Sequence, residues 1–181
     1  MKKLIFIAAF LWLNVANAQD SNWWDPIPFN EKGLIEFVVD YDLPDKSKDE
    51  MYSITKVWLS EAFKSSKSVI EVDEKDAGVI AGNGNTSFSW GNALIGYHTD
   101  PIFFSFKCQM KDGKYRLTVN NIQNENDITG RNGVEYLFND SAVKKNGEVK
   151  DYPKAVKGAL LDLFQMLQKS IDLKLNEVDD F

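Results

Sequence analysis

His98 and Asp100, two positions apart, are the pair whose types and spacing could support chemistry. A carboxylate beside an imidazole can serve with it as a general base on water or on a hydroxyl. A hydrolase built on this pair would need a nucleophile from a distant Ser or Thr, or help from carboxylates such as Asp73 and Asp76. The sequence has no Gly-x-Ser-x-Gly elbow to present one. His98 is the single histidine of the chain and Cys108 the single cysteine. That excludes multi-cysteine zinc and iron–sulfur sites and any disulfide within the chain. Glu71, Asp73, Glu74 and Asp76 lack the Asp-x-Asp-x-Asp-Gly order of a wound calcium loop and read as a solvated strand face, as do Asp40, Asp42 and Asp45. Gly82-Asn-Gly84 has neither the third glycine nor the Lys-Ser/Thr ending of a phosphate cradle, and reads as a bend or bulge in a strand. These residues assign no catalytic set, no metal site and no cofactor.

The remaining candidates are aromatic. Phe88, Trp90, Tyr97 and Phe103 crowd around His98, more rings than a connection between strands needs. Buried, they are core. Exposed, they form an adhesive rim for a protein, a peptide or a small apolar ligand. Asn85-Thr86-Ser87 and Asn139-Asp140-Ser141 match the glycosylation sequon, which matters only in a eukaryotic secretory pathway.

The whole chain has 181 residues, 44% of them hydrophobic and 27% charged, with a net charge of −6. The apolar fraction suits one folded domain and argues against disorder. The negative charge argues against a nucleic-acid partner, whose phosphates need a basic face. Residues 1–18 have the pattern of a secretory signal peptide. Lys2 and Lys3 precede an apolar run from Leu4 to Val15, and Ala16-Asn-Ala18 supplies a small-x-small cleavage site. The run is too short to span a bilayer as a helix. Loss of Lys2 and Lys3 with the leader takes the charge from −6 to −8. The expected destination is the periplasm or the exterior, with no stable membrane insertion after cleavage.

The elements that must position the aromatic candidates follow from periodicity. Residues 19–32, with Trp23-Trp24-Asp-Pro26, form an extended lead-in that packs its tryptophans on the domain. A single domain spans 33–176. Leu34 to Tyr41 is a strand. Ser47 with Glu50 makes a capping box for a helix carrying Met51, Ile54, Trp58 and Ala62 on one face. Val69 to Val72 and Val79 to Trp90 pair around an Asp-x-Gly turn, and Gly91 to Pro101 is a connection. Ile102 to Lys111 and Tyr115 to Ile122 form a hairpin on Asp112-Gly113, with Cys108 on the buried alternation of Ile102, Phe104, Phe106 and Met110. A long irregular connection fills about 123–152, in which Val134 to Phe138 makes a short strand or a helical turn. Pro153 to Asn176 is a long helix with Val156, Leu160, Leu163, Leu167 and Ile171 in one line, and 177–181 is an acidic tail. The outcome is an α+β two-layer sandwich: a curved, mostly antiparallel sheet of about five strands with both helices on one face.

Gly33-Leu-Ile-Glu-Phe37, Lys48-Asp-Glu-Met-Tyr52, Trp58 to Phe63, and the run from Val69 through Asp76 and Gly78 to Gly82-Asn-Gly84 resemble an exported bacterial family of unknown function. The resemblance covers about 33–122, and its strongest marks are Tyr52, Trp58, Asp76, Gly78, Gly82 and Gly84. It implies a TATA-binding-protein-like fold in βαββββα order and transfers no catalytic residue. Fold does not imply DNA binding here, because the net charge repels a phosphate backbone. The functional expectation is a non-enzymatic exported binding module, contacting its partner through the open sheet face or through Phe88, Trp90, Tyr97, His98 and Phe103. The alternatives are a hydrolase using His98 or an assembly subunit using the tail or a sheet edge.

Overall fold

The computed structural model of the protein describes residues 22–63, 69–94, 96–126 and 130–176. The leader and the acidic tail lie outside the described residues. After Gly33 the β-branched run forms β1 (Phe37–Asp42). The Ser47 hydroxyl then accepts the Glu50 backbone N–H at 3.2 Å and opens α1 (Lys48–Ala62). Only this half of the capping box forms: the Glu50 carboxylate takes the ammonium of Lys46, 2.7 Å away. Four strands follow, β2 (Ile70–Glu74), β3 (Val79–Asn92), β4 (Gly96–Lys111) and β5 (Lys114–Asn126). A short β6 (Gly130–Gly133) and two single 3-10 turns lead to α2 (Asp151–Asn176). The order is the expected one with a sixth strand added.

Every strand pairing is antiparallel, in the order β1-β5-β4-β3-β2, with β6 also pairing β5. The register places Tyr41, Tyr115 and Met110 on one rung and Phe37, Val119 and Phe106 on another. From α1, the Thr55 hydroxyl lies 3.4 Å from that of Tyr115, and Phe63 stacks on Phe106 at 5.6 Å. From α2, Phe164 stacks on Phe37 at 4.5 Å, and the Tyr41 hydroxyl donates to the Gln168 carbonyl. Both helices therefore touch the same rungs from the same side, and the two-layer arrangement is borne out. Trp58 and the α2 stripe Val156, Leu160, Leu163, Leu167 and Ile171 are all buried in this layer. Cys108 is wholly buried on the expected alternation, and burial pushes its thiol pKa up to about 12.

The opposite face is open and polar. A side-chain chain crosses four strands there: Asn83 donates to Glu71, Ser105 to Asn83, Asn121 to Ser105 and Gln123 to Asn121. Arg116 grips the Asp40 carboxylate through two nitrogens, at 2.6 and 2.7 Å, and holds it below the usual carboxylate range.

Two stretches depart from the sequence expectation. The connection drawn from Gly91 to Pro101 is mostly strand: Trp90 pairs with His98, Gly91 with Tyr97 and Asn92 with Gly96. Gly91 and Gly96 read as loop punctuation, but they lie within the paired ribbon, and Gly91 also serves a close backbone approach. Both have positive φ, and a Cβ at Gly91 would lie 2.1 Å from the Gly96 carbonyl oxygen. The irregular stretch 123–152 begins with four more residues of β5, doubles back through β6, and closes a bridge between Val143 and Val149. Its Val134–Phe138 piece is a 3-10 turn. Upstream, Trp23 stacks on Phe138 at 5.6 Å, donates its indole N–H to the Asn139 carbonyl, and Ile27 enters the core.

Candidate functional site

The long β3–β4 ribbon carries the aromatic candidates past the sheet's other strands to the start of α2. Strand alternation puts Phe88 and Trp90 on the helix-bearing side of β3. Across the ribbon His98 stacks on Trp90, with ring centres 4.8 Å apart and planes 25° apart. Tyr152, in the first turn of α2, meets Trp90 edge-on at 5.0 Å and Phe88 at 5.6 Å. The Trp90 indole N–H donates to Asp100 Oδ2 at 2.8 Å. Asn124 Nδ2 donates to the Tyr152 hydroxyl at 2.7 Å, and burial together with the nearby Asp100 carboxylate raises that phenol above its ordinary range. Tyr152 therefore stays neutral through the physiological range. Asn124 is 1% exposed, and among the described residues its Oδ1 is a buried acceptor without a partner.

Of the five sequence-predicted residues, the structure brings Phe88, Trp90 and His98 together. Tyr97, 75% exposed, and Phe103 fall on the other side of β4. Leu94 tips the ribbon at 95% exposure. Two members of the cluster carry no sequence signal of their own, and a third has a different partner from the one the sequence suggested. Tyr152 is a helix-start tyrosine whose partner is known only once α2 crosses β3. Asn124 faces inward because Asn121, at φ 51°, sits where an extra residue enters β5 opposite β4 and shifts the alternation. Asp100 was paired in sequence with His98 but serves Trp90 instead.

The ingredients of a hydrolase are dispersed. Among the described residues His98 makes no hydrogen bond to a carboxylate or hydroxyl. Asp73 pairs with Ile80 and His98 with Trp90, ten rungs along the same strand, or roughly 30 Å. Asp73 is moreover engaged by Lys56, 2.5 Å away, and by the Tyr52 hydroxyl, which hold it below the ordinary carboxylate range. No group of three or more His, Cys, Asp or Glu side chains among the described residues is placed to hold a metal ion.

Beside the aromatic cluster a cleft of about 480 Å³ runs between β3 and α2. Thr86 to Ser89 form one wall, and Ala155, Gly158, Ala159 and Asp162 form the other. Small side chains on that side of α2 keep it open: a Cβ added at Gly158 would meet nothing within 4 Å. Nothing local in the sequence marked Ala155, Gly158 and Ala159 as facing a strand edge. No helix among the described residues is long and apolar enough to cross a membrane.

Residues 37–125 match the family model described as a domain of unknown function (DUF4468) with TBP-like fold. The structure is similar to the crystal structure of a DUF4468 family protein from Bacteroides ovatus, with a TM-score of 0.68 and 16% identity, over 86% of this chain and 93% of that one. It is also similar to a TBP-like protein from Parabacteroides distasonis, with a TM-score of 0.56 and 14% identity, over 81% of this chain and 97% of that one. Identities this low carry the fold alone. No curated protein matches the sequence. The resemblance read from Gly33 to Gly84 is borne out. Its marks are fold residues: Gly78 lies where a Cβ would meet the Met110 carbonyl at 2.3 Å, and the Asp76 carbonyl accepts the ammonium of Lys48.

Proposed function

Residues 37–125 belong to the DUF4468 family, and from that premise we propose that the chain is an exported, non-enzymatic binding module of the bacterial envelope. Its partner is a protein, peptide or small apolar ligand, met where the β3–β4 ribbon reaches α2. The observation that carries this reading is the Trp90–His98 stack, propped by Tyr152 and Asp100 and joined through Phe88 to an open cleft. Rigid aromatics beside a concavity supply contact area at little entropic cost. The open sheet face supports binding less well, because its polar side chains already satisfy one another across the strands. Tyr97 and Leu94 would extend the contact along the ribbon tip, and Phe103 sits behind it. Export rests on the leader pattern of residues 1–18. Release into the periplasm or beyond fits the charge of −8 that cleavage leaves.

Two measurements test the proposal. Expressed with its leader, the chain is expected to leave the cytoplasm and begin at Gln19 by terminal sequencing; an uncleaved cytoplasmic product overturns export. Wild-type chain and the His98→Ala variant, immobilised in parallel, are then exposed to envelope extract. The His98 side chain is exposed and makes no hydrogen bond among the described residues, so its truncation removes the stack while leaving the fold intact. Capture by the wild type, weakened about tenfold in His98→Ala, is the expected result. Equal capture by both overturns the site, and capture by neither overturns the module.

A further inference from the structure

We propose that the outer edge of β3, from Asn83 to Ser89, takes an extended peptide as an added β-strand, with alternate peptide side chains entering the cleft against α2. This deepens the binding-module reading and rests on it. β3 is 14 residues long, yet among the described residues β2 pairs with Val79 to Gly82 alone. Beyond Gly82 no strand among the described residues lies on that edge.

The register shows which backbone groups the edge offers. The Met110 N–H donates to the Gly78 carbonyl at 2.8 Å, and pairing with β4 continues unbroken from Val79–Gln109 to Asn92–Gly96. In an antiparallel ladder both backbone groups of alternate residues face the same neighbour. The even-numbered residues of β3 therefore spend theirs on β4. The N–H and C=O groups of Asn83, Asn85, Ser87 and Ser89 point outward, a ready template for another strand.

Edges of this kind are normally blunted by lysine, proline, inward charge or short length. From Val79 to Asn92 there is no charged residue and no proline. The β2 edge beside it, by contrast, carries Glu71, Asp73 and Glu74. An unguarded edge flanked by a helix with a groove between them is the geometry of strand-addition sites, in which backbone bonds give affinity and the groove selects side chains. Here Ala155, Gly158 and Ala159 leave room for an apolar side chain, and Leu163 and Met166 give it apolar contact. Asp162, exposed on the same wall and free of any ion pair among the described residues, adds a negative charge. The occupant is accordingly a peptide with apolar residues at alternate positions and a Lys or Arg set to reach Asp162. It suits a chain whose net charge is −6.

The experiment selects binders to the purified full chain from a library of random peptides and reads the complex by amide hydrogen exchange. Exchange at Asn83, Asn85, Ser87 and Ser89 is expected to slow by more than about tenfold with the selected peptide bound. Ser87→Pro removes an outward N–H without touching the β4 ladder, and Gly158→Phe fills the cleft from a helix position with open space. Each is expected to abolish both binding and protection. Selected peptides that bind both variants as well as wild type, and lose affinity only in His98→Ala, overturn this inference while the module reading stands. Failure to select any peptide overturns it as well, leaving the extract capture to decide the module. Protection of the same four amides without peptide, rising with protein concentration, would make a second copy the occupant and also overturn it.

Discussion

Replacing Trp58 by Ala is expected to lower the unfolding free energy by about 3–5 kcal/mol, read from urea transitions of the two proteins. The ring is 2% exposed, and its Nε1–H donates to Ser170 Oγ on α2 at 2.8 Å. Truncation removes the largest buried side chain of α1, opens a void between two helices, and takes a donor from a hydroxyl that keeps only its own bond to the Leu167 carbonyl. Trp58→Phe should retain most of the packing and lose the N–H. It is therefore expected to fall between wild type and Ala, and Ser170→Ala should cost about 1 kcal/mol. A loss below about 1 kcal/mol for Trp58→Ala would mean that α1 does not bury this face.

Gly82→Ala is expected to cost about 2–3 kcal/mol, the upper part of the range for forcing extra atoms into a packed site. A Cβ there would lie 1.9 Å from the Val69 carbonyl oxygen and 3.0 Å from the Ile70 Cα. Both are backbone atoms and cannot swing aside, so β2 must move off β3. The neighbouring Gly84→Ala is a built-in comparison. Its added Cβ meets the ring ends of Phe104 at 2.5 Å and Phe63 at 2.9 Å, side-chain rather than backbone atoms, and a smaller cost of about 1 kcal/mol is expected. Amide exchange along Ile70 to Glu74 should accelerate in Gly82→Ala before the rest of the sheet responds. Unchanged stability in Gly82→Ala would show that β2 does not approach β3 this closely.

α1 was legible because one cap and one period agree: Ser47 starts the helix, and Met51 and Trp58 fall on a single buried line. α2 was legible for the same reason, through its five-residue apolar line, and the β4–β5 hairpin through Asp112-Gly113, where Gly113 takes φ 74°. The ribbon tip was not. Gly91, Asn92, Gly96 and Asp100 have the composition of a turn, and only a cross-strand partner at each rung turns them into strand. β6 was hidden likewise, since Gly130–Gly133 pairs through its backbone alone and offers no hydrophobic alternation. The candidate site was half legible. Phe88, Trp90 and His98 were singled out as aromatic excess, whereas Tyr152 and Asn124 join them through a helix crossing and a shifted alternation that no local pattern encodes. The edge of β3 escaped for a third reason: it is defined by where the pairing of β2 ends among the described residues, at Gly82.

The sole sulfhydryl of the chain has a practical meaning beyond packing. Cys108 sits on a central strand with no exposure and with its ionisation deferred to about pH 12, so an alkylating reagent can reach a reactive thiolate only when the sheet opens. The labelling rate of the native protein thus clocks global opening without any engineered probe. The same seclusion spares the chain from cross-linking to other thiols while it remains folded.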